Sequence, residues 1–361
     1  MPPREAPFEG RRYRHDRPGG VLTPESLART VARDRRPEPA GPTDARRYVN
    51  QWVEKEAIGT EPVSAFVLIL RTRGCYWADE KGCSMCGYAK DTLGRSATPE
   101  ELAEQLAHAI VRYRGEPYVK VYTSGSFLDD REVDPESRRL LVAAFSGKAR
   151  RLLFETLPEF AVAGSLEPLR GAFEGEIEVA LGLESTDPTV LGRYIHKNAP
   201  PSEYLAAGDR VRALGLRAKA YLLLKPPYLT ESESIRDVVR SVGEAAPHFD
   251  ALSVNPVHIQ NGTVVEWLYR RGRYRPPWLW SVVESLREGA KLRGESRLVS
   301  FPTAGGLARG PHNCGECDAR FLEAIETASL RQVFEPLGDL DCSCRAEWES
   351  GRVLEPLGVE A

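Results

Sequence analysis

The sequence has no apolar run as long as the roughly 20 residues that a membrane helix needs. Its first twenty residues carry charges but no apolar core, so they lack the pattern of a secretory signal. With 49 basic and 52 acidic residues the net charge is −3, which is not the balance of a chain that coats nucleic acid. We therefore expect a cytoplasmic protein that does not bind a membrane.

Cysteine is also scarce, and its seven copies fall into two groups with none left over. The first group, Cys75, Cys83 and Cys86, lies in the run LRTRGCYWADEKGCSMCGYAKD, directly after the strand-like stretch VSAFVLIL. The second group lies near the C-terminus and consists of Cys314, Cys317, Cys342 and Cys344. Tight spacings in a reducing compartment favour metal binding over disulfide bonds.

The number of cysteines in each group indicates a different metal site. Three thiolates leave one iron of a four-iron cluster open to a second molecule, so the triplet predicts a 4Fe–4S cluster. A zinc site and three unligated thiols are the alternatives. Four thiolates close a tetrahedral site, so the second group predicts structural zinc, with a second iron–sulfur cluster as the alternative. His312 could replace one of these cysteines, but beside Pro311 it is interpreted as solvent-exposed.

Apolar, β-branched runs alternate with helical patterns along the chain. Strands are predicted at about 63–71, 118–123, 151–156, 176–183, 217–224 and 251–258. Thr98 and Thr230 each stand three residues before a glutamate at a predicted helix start, which is the pattern of a capping box. Alternating strands and helices predict an α/β fold with a parallel sheet, either doubly wound or closed as a barrel.

Polar motifs follow all six predicted strands, where a (β/α) barrel carries its chemistry. They are the cysteine triplet, SGSF, FETLPE, LGLES, LKPPYLTE and NPVHIQNGT. Six such motifs at six strand ends indicate a site. The expected segments are a disordered N-terminus over residues 1–20, a helical extension over 21–60, the barrel over 61–295 and a four-cysteine metal module over 296–361.

The order of these motifs resembles the radical S-adenosylmethionine (SAM) superfamily over about residues 60–290. The first gap of the cysteine triplet has seven residues, where that superfamily usually has three, and the second gap keeps two. The resemblance implies a partial (β/α)6 TIM-type barrel with a 4Fe–4S cluster on the triplet. It also implies SAM on the open iron, where an electron from the cluster cleaves SAM to a 5′-deoxyadenosyl radical. Cofactor binding is thereby assigned to Tyr88, Ser124, Gly125, Ser126, Glu184, Ser185, Asn255 and Gln260.

The runs LLLKPPYLTE, VNPVHIQNGT and GPHNCGECD resemble, more closely, the family of archaeosine synthase radical SAM subunits. This resemblance implies a lyase acting on tRNA that carries a lysine adduct of preQ0 at position fifteen. Cleavage of a C–N bond of the lysine part would leave the formamidine of archaeosine. Two protein partners are implied, a lysine-transferring subunit and an electron donor such as ferredoxin. The alternatives are another radical SAM reaction on tRNA, such as methylthiolation or carboxymethylation, and a non-catalytic RNA-binding module.

Charged residues beside strand ends are candidates for catalytic contacts. Lys225 is predicted to pair with a carboxylate of SAM or of the substrate lysine, and Glu155 to receive an amine. The structural alternatives are a salt bridge from Lys225 to Glu184 and helix capping by Glu155, while His196 and Lys197 are further candidates. The segment YRRGRYRPPWLW combines arginines with aromatic residues, which suits contact with unpaired bases. Its alternative is a solvated loop that packs its tryptophans on the barrel.

Overall fold

One sheet organises the molecule, for which the computed structural model describes Pro24 and residues 44–354. Eight strands in this part of the chain lie side by side in sequence order. They are β1 (Asn50–Ile58), β2 (Glu61–Ile69), β3 (Tyr118–Tyr122), β4 (Arg151–Thr156), β5 (Glu176–Glu184), β6 (Arg217–Leu224), β7 (Ala251–Pro256) and β8 (Arg297–Val299). Only β1 runs antiparallel to its neighbour within this sheet. The segments after β2 to β7 therefore all leave from one edge.

Helices connect the parallel strands. The α-helices of the described residues are α1 (Tyr76–Glu80), α2 (Pro99–Ile110), α3 (Pro135–Ala143), α4 (Ala163–Ala172), α5 (Pro201–Ala213), α6 (Glu231–Ala245), α7 (Val264–Tyr269), α8 (Leu279–Ala290), α9 (Asp318–Arg331) and α10 (Arg345–Leu354). Short 3-10 or π turns lie at Tyr88–Asp91, Pro158–Phe160, Val190–Ile195, Ala246–His248 and Glu335–Asp339. α2 and α6 begin with the predicted capping boxes at Thr98 and Thr230. Within the described range, no helix has the length and apolarity to span a bilayer.

Strands β2 to β7 confirm the six predicted parallel strands, whereas β1 and β8 were not predicted. The helical extension expected over residues 21–60 is wrong for Asn50–Ile58, which form β1. There, Glu54 and Glu56 alternate with Val53 and Lys55, and a period of two suits a strand. The rest of that extension up to residue 43, apart from Pro24, lies outside the described residues, as does the N-terminal segment expected to be disordered.

The two faces of the sheet bury different chemistry. The outer face packs apolar side chains such as Leu68 and Phe154 under the helices. The inner face carries Lys120, whose ammonium lies 2.6 Å from Glu54 Oε1 and also contacts the carboxylate of Glu56. Lys120 and Glu56 are almost fully buried. Since breaking a buried ion pair costs about 3–5 kcal/mol, this group ties β1 to β3 inside the molecule.

The edges of the sheet approach each other at the N-terminal ends of the parallel strands. There, Arg297 of β8 donates to the carbonyl of Gly59 in the β1–β2 turn. Lys55 of β1 forms an ion pair of 2.8 Å with Glu326 of α9. The sheet is thus a curled half-barrel, followed by a module that contains the four C-terminal cysteines. This confirms the predicted partial barrel with its four-cysteine module.

Candidate active site

The loop after β2 carries the cysteine triplet at the edge of the sheet where the polar motifs lie. Cys75 stands at the N-terminus of α1, and all three cysteines of the triplet are half-buried. Ser84 donates its N–H to the carbonyl of Ile195 at 2.8 Å, and its carbonyl accepts from the N–H of Val264 at 2.9 Å. The loop is therefore fixed from two sides, by the segment after β5 and by the start of α7.

The chemistry of the triplet suits an iron–sulfur cluster. Burial raises the pKa of Cys75 to about 11 and that of Cys83 to about 12. A thiol in such surroundings ionises only where positive charge compensates it, as iron does when it binds a thiolate. Three soft thiols on a loop held by backbone hydrogen bonds therefore fit a 4Fe–4S cluster with one iron left open.

The SGSF segment lies directly against the cysteine loop. A Cβ atom built on Gly125 would lie 2.6 Å from the backbone nitrogen of Cys75 and 2.4 Å from Glu132 Oε2, so only glycine allows this approach. Glu132 is buried and accepts hydrogen bonds from the N–H of Ser126 and the hydroxyl of Thr72. Burial raises the pKa of Glu132 to about 7. The predicted glycine motif is thus placed beside the first cysteine. The adjacent Ser124, which lies between β3 and Gly125, stays a predicted cofactor contact.

The segment after β7 docks on the other side of the triplet. The N–H of Gly87 donates to the side-chain oxygen of Gln260, and a Cβ on Gly87 would lie 2.9 Å from Gln260 Cβ. Tyr88, the next residue, is exposed. On β7, Asn255 Oδ1 accepts from the Ser253 hydroxyl at 2.8 Å. Gln260 therefore positions the cysteine loop, and contacts of Tyr88, Asn255 and Gln260 with SAM stay predictions.

The two residues assigned to SAM at the end of β5 face different surroundings. Glu184 Oε1 lies 3.6 Å from Lys197 Nζ, and a Cβ on Gly182 would lie 2.8 Å from the same oxygen. Ser185 is fully buried, and its hydroxyl donates to Asp237 of α6 at 2.9 Å. The Ser185 hydroxyl is therefore used between β5 and the outer helix α6, and contacts of Glu184 and Ser185 with SAM stay predictions.

Glu155 lies on the inner face of β4. Its carboxyl is within hydrogen-bonding reach of the Tyr221 hydroxyl, which also reaches the hydroxyl of Tyr122. Burial is the largest influence and raises the pKa of Glu155 to about 7. The 3-10 turn that follows β4 has no side-chain cap, so the capping alternative is wrong. A carboxyl with a raised pKa inside a barrel is a candidate for a functional group.

Lys225 follows β6, and its ammonium is buried. It lies 3.2 Å from Glu231 Oε1, which also accepts from the N–H of Trp278 at 3.0 Å. The hydroxyl of Tyr274 donates to the Lys225 carbonyl at 2.7 Å. The alternative salt bridge to Glu184 is wrong, because the partner is Glu231. These contacts support a structural role for Lys225, and its contact with a carboxylate of SAM or substrate stays a prediction.

The arginine–aromatic segment divides into an exposed part and a buried part. The exposed part comprises Arg270, Arg271 and Arg273. The guanidinium of Arg271 stacks on the ring of Trp267 at 3.7 Å. The aromatic rings in the core are those of Tyr274, Trp278 and Trp280. Arg275 stacks on Trp278 and donates to the carbonyl of His312. The prediction that unpaired bases stack on these three rings is therefore wrong. Contact of RNA with the three exposed arginines stays a prediction.

The four C-terminal cysteines converge on one point. The Sγ–Sγ distances are 3.8 Å for Cys314–Cys317, 3.7 Å for Cys314–Cys342 and 3.8 Å for Cys317–Cys344. All four sulfurs lie within 4.8 Å of one another. A tetrahedron whose corners lie about 2.3 Å from its centre, the zinc–sulfur length, has edges of about 3.8 Å. The indole N–H of Trp280 donates to Cys344 at 3.3 Å, which anchors the group on α8.

Sequence reasoning missed three interior residues of the site, Tyr122, Glu132 and Tyr221. The tyrosines carry a signal, since each follows a lysine at a spacing of two within an apolar strand. No sequence pattern marks Glu132, because a loop brings it to Gly125.

His312 is half-buried, with Nδ1 2.8 Å from the Gly310 carbonyl, so its interpretation as solvent-exposed is wrong.

Curated relatives match the chain over almost its whole length. It is 32% identical over 335 residues to the archaeosine synthase subunit beta of Methanosarcina acetivorans, covering 91% of this chain and 96% of the relative. It is also 32% identical over 306 residues to the archaeosine synthase subunit beta of Thermococcus kodakarensis, covering 82% and 94%. No family model matches the chain.

Solved structures match more distantly. A queuine lyase from Clostridium spiroforme, bound to SAM and queuine, has a TM-score of 0.44 and 18% identity, covering 62% of this chain and 91% of that one. Elp3 of Methanocaldococcus infernus has a TM-score of 0.46 and 15% identity, covering 63% and 59%. Since these curated relatives are matched over almost their whole length, the chain belongs to the archaeosine synthase subunit beta family.

Proposed function

We propose that the protein is the radical SAM subunit of an archaeosine synthase. It would act as a lyase on tRNA that carries a lysine adduct of preQ0 at position fifteen and cleave a C–N bond of the lysine part. The observation that carries the proposal is the 32% identity to an archaeosine synthase subunit beta across 91% of this chain. The position of the cysteine triplet, at the edge where parallel strands end, supports it.

The residues that would hold the cofactors line this edge. Cys75, Cys83 and Cys86 would bind the 4Fe–4S cluster, and the close approach of Gly125 to Cys75 would place the SGSF segment beside it for contact with SAM. When bound, the cluster supplies the electron for reductive cleavage of SAM. The chain itself fixes the cysteine loop through the two backbone hydrogen bonds of Ser84.

The inner face of the barrel offers a group for the substrate. Glu155 is the carboxyl that would receive an ammonium of the lysine adduct, with Tyr221 and Tyr122 beside it. A cation that pairs with this carboxyl would lower its raised pKa and ionise it. The target nucleotide would have to leave the base stack to reach this depth.

The tRNA backbone would meet the exposed arginines Arg270, Arg271 and Arg273, which follow α7. Because α7 begins where the cysteine loop is hydrogen-bonded, these arginines lie on an element that contacts the site. A net charge of −3 leaves few other phosphate contacts, so a lysine-transferring partner subunit would supply most of the RNA affinity. An electron donor such as ferredoxin would reduce the cluster.

The four-cysteine module would hold zinc. Three of its sulfur separations, of 3.7–3.8 Å, match the edges of a zinc tetrahedron, and all four sulfurs lie within 4.8 Å of one another. The methylthiolation alternative needs a second cluster or another sulfur source. Zinc at these cysteines would leave methylthiolation without that cluster and thus support the lyase reaction.

The test uses the full chain, reconstituted anaerobically with iron and sulfide. It is incubated with SAM, reductant and lysine-adduct tRNA, with and without the partner subunit. We expect archaeosine and 5′-deoxyadenosine to form in step, and the partner to increase turnover. Unmodified tRNA without the adduct serves as the control. If the adduct remains unchanged while SAM is cleaved, the chain is a radical SAM enzyme with another substrate.

A further inference from the structure

The segment after β5 is clamped to the cysteine loop by two hydrogen bonds. The N–H of Ser84 donates to the carbonyl of Ile195 at 2.8 Å, and the indole N–H of Trp77 donates to the carbonyl of His196 at 2.6 Å. Trp77 lies within the long first gap of the triplet, and Ser84 directly follows Cys83. His196 has a φ of 63°, in the left-handed region. This turn presents the next residue, Lys197, to the loop.

The side chain of Lys197 is buried at this junction. Its side chain is 8% exposed, and its ammonium lies 3.6 Å from Glu184 Oε1 and 5.3 Å from the centre of the Tyr204 ring. Gly182 leaves the space for it, since a Cβ there would lie 3.0 Å from Lys197 Nζ. A buried ammonium is costly without anions around it. One carboxylate faces it at 3.6 Å, and Cys83 and Cys75 of the triplet lie near enough to interact with its charge.

We propose that Lys197 is the electrostatic partner of the cluster on the triplet, with Glu184 holding its ammonium in place. The inference rests on the cluster of the proposed function. Reduction adds one negative charge to a cluster already bound by thiolates, and a fixed cation in a low-dielectric site favours that state.

The two members of the pair should shift the reduction potential in opposite directions. Lys197→Met removes the cation and should make the cluster potential more negative, whereas Glu184→Gln removes the anion and should make it more positive. Lys197→Arg keeps the charge and should restore a potential near that of the wild type. The matched control is Lys81→Met, since Lys81 is an exposed lysine of the same loop, screened by solvent.

The potentials are measured by anaerobic redox titration of the reconstituted full chain without SAM, followed by the EPR signal of the reduced cluster. Iron is counted in every variant. Opposite shifts with full iron content support the inference. A wild-type potential in Lys197→Met, or shifts of one sign in both variants, would overturn it. Should Lys197→Met lose its iron, Glu184→Gln still tests the sign, and a potential that does not become more positive would overturn the inference. Absence of iron from the wild type would instead count against the proposed function.

Discussion

At the scale of single residues, three glycines let neighbouring groups approach closely around the site. Gly125 admits the backbone of Cys75, Gly87 admits Gln260, and Gly182 leaves room for the ion pair of Glu184. Each of these glycines borders a different segment that packs around the cysteine loop. The close approach of backbones at Gly125 and Gly87, rather than chain flexibility, explains why glycine is needed at those positions.

The triplet cysteines should be individually essential. Replacing Cys75, Cys83 or Cys86 by Ala leaves two thiolates, which cannot hold a four-iron cluster. We expect loss of the broad visible absorption and of all 5′-deoxyadenosine formation in each variant. Iron analysis and absorption spectra check this. Retention of full iron in the triple variant would show that other cysteines bind the cluster.

Glu155 should destabilise the protein at neutral and alkaline pH. Its pKa is raised to about 7 in the fold, above the value of about 4.3 expected for an unfolded chain. Between these two pH values the Glu155 carboxyl is protonated in the folded state but not in the unfolded state. The free energy of unfolding therefore falls as pH rises through this window, and the whole loss of stability is present above pH 7.

The variant Glu155→Gln removes this cost. We expect it to be more stable than the wild type by about 1–3 kcal/mol at pH 8 and much less so at pH 4.5. Denaturant unfolding at the two pH values measures the difference. The same variant should lose turnover of lysine-adduct tRNA. An equal stability change at both pH values would mean that the carboxyl does not titrate as described.

At the scale of secondary-structure elements, the cysteine loop is fixed by the segments after β3, β5 and β7. Its contacts run to Gly125, Ile195 and Gln260, one in each of these segments. α7 adds a fourth through Val264, and it carries the exposed arginines at its end. A displacement of any of these elements would therefore move the cysteine loop, because each is joined to it by a hydrogen bond or a backbone contact.

Charge reversal at the end of α7 should separate RNA turnover from SAM cleavage. The double variant Arg271→Glu and Arg273→Glu removes two cations from the predicted RNA contact, so we expect tRNA turnover to fall about tenfold. Uncoupled formation of 5′-deoxyadenosine should stay nearly unchanged. The matched control reverses Arg112 and Arg139, two exposed arginines near the outer helices α2 and α3. Equal tRNA turnover in both double variants would leave the α7 arginines without a role in RNA binding.

At the scale of the whole molecule, the C-terminal module packs against the barrel at several points. Trp280 of α8 bonds to Cys344 and stacks on Trp348 of α10, while Lys55 of β1 pairs with Glu326 of α9. Metal at the four cysteines would thus stabilise the packing of the module on α8. It would also stabilise the contact of α9 with β1 at the edge of the sheet. Structural zinc of this type contributes folding free energy directly.

Removal of that metal should therefore lower the stability of the entire chain. We expect about one zinc per chain in the wild type. Cys314→Ser should lose that zinc and lower the unfolding temperature of the barrel as well. Cys83→Ala should lose iron and keep zinc, which makes it the control. Metal analysis with thermal unfolding measures both. About four irons held by the C-terminal cysteines would identify a second cluster and favour methylthiolation.

The sequence by itself determined the six parallel strands, the capping boxes at Thr98 and Thr230, and the two cysteine groups, because these depend on local periodicity and spacing. Only the tertiary structure decided which charges meet. Lys225 pairs with Glu231 and Glu184 with Lys197, and both partners are set by loop paths. The tertiary structure also decided that the Ser185 hydroxyl bonds to α6 and that Trp278 and Trp280 are buried in the core. Burial depends on neighbours from distant parts of the chain, which local sequence patterns do not show.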